Sequence, residues 1–104
     1  MSVQIFTLAG GEKKTIEKVI LDKNLNFLHM ILPMGEGLPD HRTNAPVYMT
    51  VVRGTLSIGF EDDAPRDYPA GTVLKIAYDT RMLVKNTREE PLELIVVKAP
   101  PPAM

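Results

Sequence analysis

Apolar residues recur along this chain in short runs, mostly alternating with polar ones at a period of two. The runs are Val3–Leu8, Thr15–Leu21, Asn26–Leu32, Val47–Val52, Thr55–Phe60, Thr72–Ala77, Arg81–Lys85 and Leu92–Lys98. Successive side chains of a strand point to opposite faces, so runs of this length and pattern predict strands. The one stretch with helical spacing, Glu12 to Val19, is short, and its Thr15, Ile16 and Val19 suit a strand equally well. Turn formers separate the runs: Gly10-Gly11, Asp22-Lys23-Asn24, Pro33 to Pro39, Arg53-Gly54, Asp62 to Pro65, Pro69-Ala70-Gly71 and Asn86 to Pro91. About eight strands at this spacing predict an all-β domain of two packed antiparallel sheets, a sandwich or a barrel.

The run Leu92–Val97 is apolar on both faces apart from Glu93. Such a strand needs cover on each side, from a second sheet and from either a further layer or a second subunit. A homodimer is therefore expected. The tail that begins Ala99-Pro100-Pro101-Pro102 cannot extend the ladder, because three successive residues lack an N–H donor. No repeat, linker or composition shift divides the chain. The expectation is a single domain over residues 1–104, with its motif-bearing core at about 26–98 and a proline-rich tail at 99–104.

Two glycine-framed segments carry a resemblance to a known family. The first cupin motif runs glycine, five residues, His-x-His, three or four residues, a glutamate, six residues and a glycine. Gly35, His41 and Gly54 fit that frame. In the second motif, Gly71 and Asn86 match the two ends, while Ala77 and Asp79 stand where Pro-x-Gly belongs. The region from Gly35 to Lys98 thus resembles a small single-domain cupin, and the resemblance implies a double-stranded β-helix, or jelly-roll barrel. Cupins commonly pair, which adds to the dimer expectation.

The resemblance also implies a metal site, but the residues at its positions have changed. His41 keeps the first ligand position. Thr43 stands at the second histidine, Val47 at the glutamate and Met82 at the last histidine. One imidazole beside an alcohol, an alkane and a thioether is a poor first shell for zinc, iron or manganese. No cofactor is expected. His29 offers the one route to a rebuilt site: if the face shared by Phe27, His29 and Ile31 looked into the barrel, His29 would join His41, Met49 and Met82 in a soft, Cu(I)-favouring set. Against that, six methionines are more simply core filler, and a lone histidine on a strand is more simply a hydrogen-bonded or solvated residue.

The reading that remains is an apolar cavity lined by His41, Thr43, Val47, Met49, Met82 and Val84, in which a small organic ligand binds without the usual metal. Two enzymatic alternatives stay open. One is a metal-independent isomerase or epimerase with His41 as general base. The other is a metal-dependent dioxygenase or isomerase using the His29 set. Asp40 neighbours His41 in sequence but points to the other face of a strand, so it is a poor partner for it. Arg81 or Tyr78, in the loop before Met82, is a candidate for an anionic ligand, while Glu61-Asp62-Asp63 reads as a solvated hairpin loop before it reads as a calcium site.

Charge and composition narrow the partners. The net charge of -1 gives no basic field for nucleic acid or an anionic membrane surface. The interleaved Glu12, Lys13, Lys14, Glu17 and Lys18 make a mixed surface rather than a basic patch. The chain has no cysteine, which excludes disulfides, thiolate nucleophiles and cysteine-held metals. No apolar run approaches a membrane span, and the N-terminus lacks a basic start followed by a long apolar run, so a cytoplasmic location is expected.

Overall fold

The computed structural model describes residues 2–102, so the last two positions of the proline-rich tail lie outside the described residues. Among these residues nine strands form: β1 (Thr15–Leu21), β2 (Asn26–Leu32), β3 (His41–Arg42), β4 (Val47–Arg53), β5 (Thr55–Phe60), β6 (Arg66–Pro69), β7 (Val73–Ile76), β8 (Arg81–Lys85) and β9 (Leu92–Lys98). They make a five-stranded sheet, β1-β2-β9-β4-β7, and a four-stranded sheet, β3-β8-β5-β6. Every ladder is antiparallel. The interleaved order is that of a jelly roll, with β1 added at one edge. No helix among the described residues is long and apolar enough to cross a membrane.

The core follows from the period-two rule. Leu28, Met30 and Leu32 of β2, Val47, Met49 and Val51 of β4, and Leu92, Leu94 and Val96 of β9 point inward from the larger sheet. Leu56 and Ile58 of β5, with Met82 and Val84 of β8, meet them from the smaller one. The outer face of the larger sheet carries Tyr48, Val52 and Val73 exposed, the surface on which the dimer expectation rests.

Two turns show why the sheets close where they do. Asp22 caps the β1–β2 hairpin by accepting from the Asn24 and Leu25 N–H groups at 2.8 and 3.0 Å. These bonds, Leu25 first, hold its carboxyl below the usual carboxylate range. At the other motif's end, Asn86 is fully buried and ties three segments together. Its amide donates to the Leu32 and Glu90 carbonyls, both at 2.9 Å, and its Oδ1 accepts from the Arg88 N–H at 2.9 Å.

Three differences from the sequence reading have physical causes. The run Val3–Leu8 pairs with no strand and forms an extended arm, its Val3 and Ile5 exposed. The chain bends back through Gly11 (φ +96°) before β1 begins. Strands β3 and β6 lie outside the predicted runs, because one is two residues long and the other is four largely polar residues at a sheet edge. Neither is long enough to show a period.

Candidate functional site

His41 pairs with Met82 across the β3–β8 ladder, and Met82 pairs with Phe60 across β8–β5. Residues directly opposite one another share a face, so His41, Met82 and Phe60 form one inward-facing row. Opposite them on the larger sheet stand Leu28, Met30, Val47, Met49 and Val96. Together these side chains line a partly open cavity of about 60 Å³, completed by Leu38, Thr43, Asn44 and Lys98, in which His41 and Asn44 remain exposed to solvent. That volume admits only a few non-hydrogen atoms. On the far side of the row, a wider and more open recess of about 540 Å³ is lined by Ile58, Phe60, Arg66 and Tyr68 and by the β5–β6 turn. Met82 lines the cavity and its ladder partner Phe60 lines the recess.

Five of the six residues expected at the cavity, His41, Thr43, Val47, Met49 and Met82, converge on it. Val84 does not. It pairs with Ile58 where the sheets close, and belongs to the sealed core. Arg81 and Tyr78 are not at the cavity either. Arg81 binds Asp40 at 2.7 Å and lies near Asp62, and the bond from Arg81 holds the Asp40 carboxyl below its ordinary range. Tyr78 is exposed. Glu61, of the acidic turn, faces Arg42 at 3.4 Å.

The polar groups of the cavity are already oriented. The Thr43 hydroxyl donates to the Ala77 carbonyl at 2.7 Å and accepts from the Thr80 N–H at 2.9 Å. His41 Nδ1 lies 2.7 Å from the Pro39 carbonyl. A carbonyl only accepts, so Nδ1 carries a proton and Nε2 is the remaining functional nitrogen. Lys98, which the sequence reading did not single out, is the last inward-facing residue of β9, directly opposite Val47. Its Nζ donates to Asn44 Oδ1 at 3.0 Å. Burial, and then the nearby Lys18 ammonium, lower its pKa.

This donor set does not fit a transition metal. Thr43 has its hydroxyl engaged on both sides, Val47 offers nothing, and an ammonium faces the space a dication would fill. His41 is the only histidine or carboxylate side chain among the described residues that line the cavity. The rebuilt site fails for a separate reason. His29 lies on the outer face of the larger sheet, since its neighbours Leu28 and Met30 took the inner one. It therefore cannot join His41, Met49 and Met82.

His29 belongs instead to a buried cluster that the sequence reading missed. Its Nδ1 lies 2.7 Å from Glu17 Oε1 on β1, and its Nε2 lies 2.6 Å from Glu93 Oε2 on β9. Each ring nitrogen thus faces a carboxylate oxygen, and the ring is hydrogen-bonded on both sides. Glu17 Oε1 also accepts the Ala9 N–H at 2.9 Å, and Arg53 donates to the Gly11 carbonyl at 2.8 Å. The cluster thereby ties the N-terminal arm to the sheet. The Ala9 bond and then the His29 bond lower the Glu17 pKa. The available signal was a glutamate in each of two largely apolar strands, Glu17 in β1 and Glu93 in β9.

No family model matches the chain. The uncharacterised protein MJ0764 of Methanocaldococcus jannaschii is 33% identical over 92 residues, which is 88% of this chain and 79% of that one. The crystal structure of MJ0764, described as an RmlC-like cupin family protein with a double-stranded β-helix fold, superposes with a TM-score of 0.92 at 29% identity. The match covers 96% of this chain and 93% of that one. An RmlC-like cupin of Desulfovibrio desulfuricans matches with a TM-score of 0.78 at 23% identity, over 97% and 98% of the two chains. A protein of Ralstonia eutropha described as a putative mannose-6-phosphate isomerase matches with a TM-score of 0.70 at 22% identity, over 88% and 89%. At those two identities the likeness is one of fold.

Proposed function

Because the chain belongs to the RmlC-like cupin family, whose scaffold carries many activities, we propose a function from the cavity itself: metal-free binding of a small organic molecule inside the barrel. The observation that carries this reading is the replacement of the ligand set. Apolar side chains and a few fixed polar groups line the space where metal ligands would converge, and that is the make-up of a small-molecule site. The cavity beside His41 takes the ligand, and the flexible methionine side chains that line it adapt to its shape.

A thermal-shift screen of small organic compounds tests the proposal. A ligand present at 100 times its Kd stabilises by about 2.7 kcal/mol, a rise in Tm on the order of 10 °C for a domain of this size. Filling the cavity by Met82→Phe is expected to abolish the shift while the folded spectrum persists. If the filled variant responds as the parent does, the ligand sits elsewhere and the proposal is wrong.

One observation favours a second reading, in which His41 acts on the ligand as a general base. The Pro39 carbonyl fixes the Nδ1 proton, which leaves Nε2 as the acceptor in the neutral ring. Turnover of a stabilising ligand that disappears in His41→Gln would support catalysis, and binding without turnover would exclude it for that ligand.

A further inference from the structure

Lys98 places a cation in the cavity without an anion to answer it. β9 runs Leu92, Leu94, Val96 and Lys98 on its inner face, so the strand that supplies the core ends in an ammonium at the cavity wall. Its hydrogen-bond partner, Asn44 Oδ1, is neutral. Burial, and then the Lys18 ammonium, lower the pKa of Lys98. No carboxylate among the described residues forms an ion pair with it.

By contrast, Arg42, Arg81 and Arg88 are answered by Asp79, Asp40 and Asp67. A half-buried charge left unpaired is costly, and proteins retain one where a ligand supplies the partner. The position adds to the argument. Lys98 lies directly across the ladder from Val47, the place of the missing carboxylate ligand. A carboxylate and a metal dication have there been exchanged for an alkane and a fixed monocation. An anion remains the complementary guest, and a second cation is repelled.

Resting on the metal-free binding reading above, we propose that the cavity is an anion site for a small aliphatic carboxylate, its carboxylate on Lys98 Nζ and its carbon chain against Met30, Met49 and Met82. The volume sets the size. About 60 Å³ holds a carboxylate and a short chain but not a ring or a sugar. His41 borders the same space and orients the second carboxylate oxygen when Nε2 carries a proton. Thr43 takes no part, because its hydroxyl is engaged on both sides.

The test titrates the full chain with sodium butyrate, butyramide and sodium phosphate, following the Lys98 side-chain resonances by NMR and affinity by calorimetry. Butyrate is expected to shift Lys98 and to bind at least tenfold more tightly than the isosteric amide. Phosphate, too hydrated for the methionine wall, is expected to bind at least tenfold more weakly than butyrate. In Lys98→Met, which keeps the apolar stem, butyrate affinity is expected to fall at least tenfold. If butyramide binds as well as butyrate, in parent and variant alike, the barrel holds a neutral ligand. The carboxylate inference then fails while the binding reading survives. If phosphate matches butyrate, the site reads charge alone and the aliphatic part of the inference fails. If none of the three perturbs Lys98, the inference is overturned, and the compound screen decides the broader reading separately.

Discussion

Replacing His29 by leucine is expected to lower the unfolding free energy by about 3 kcal/mol at neutral pH, near the lower end of what breaking a buried ion pair costs. The ring is fully buried, and both its nitrogens are engaged at under 3 Å. Leucine conserves most of the volume, so the loss is not a cavity. It comes from leaving Glu17 and Glu93 as two anions facing each other across an apolar residue. Each carboxylate keeps some contact with solvent, and for that reason the lower end applies. Chemical denaturation of parent and variant at equal pH measures the difference, and equal stabilities would show that the cluster contributes nothing net.

The same cluster sets an acid limb in the stability profile. The groups facing the ring are Glu17 from β1 and Glu93 from β9, with Arg53 Nε lying 3.4 Å from Glu93 Oε1. The pKa of Glu17 is depressed in the folded protein. Its contribution is therefore fully present above the unfolded carboxylate pKa and is lost as pH falls through the lower folded value. The His29→Leu variant is expected to have a shallower acid limb. It does not become flat, because the Ala9 N–H bond, the larger cause of the shift, persists.

Gly54→Ala is expected to cost more, about 4 kcal/mol, by summing backbone strain with forced overpacking. Gly54 joins β4 to β5 with φ at +81°, a conformation that L side chains rarely adopt. A Cβ there would also fall within the van der Waals shell of the Pro91 carbonyl oxygen and press on Leu92 Cα at 3.1 Å. Both are backbone atoms next to the central strand β9, so neither can swing away. Gly71 is the control. Its φ is +93°, yet nothing stands within 4 Å of a Cβ built on it, so Gly71→Ala is expected to cost only about 1 kcal/mol. Melting temperatures of the two variants separate steric from conformational cost, and similar losses in both would refute this division.

Gly54 and Asn86 show what kind of information the sequence made legible. Both are positions where backbone geometry admits few residues, so motif spacing pointed to them directly. Strand positions with an unambiguous pattern were equally readable: β2, β5, β8 and β9 match their apolar runs residue for residue. The face of β2 was not readable. Phe27, His29 and Ile31 are nearly as apolar as Leu28, Met30 and Leu32, and a period of two tells which residues travel together, not which set meets the other sheet. Burial within both sets removes the usual contrast. Lys98 was hidden for a related reason. A lysine closing an apolar strand reads as a solvent-facing terminus, and only the register against Val47 turns it inward. The Glu17–His29–Glu93 cluster joins residues 64 apart in sequence between His29 and Glu93, a distance that local patterning does not bridge.

We propose that this cupin barrel binds an organic ligand where the cupin motifs would place a metal. Elemental analysis of the full chain, purified without added metal or chelator, tests it most directly. Manganese, iron, nickel, copper and zinc are each expected far below one equivalent, unchanged in His41→Ala and in Lys98→Met. One equivalent of any of them, retained through purification and lost in His41→Ala, would contradict the account.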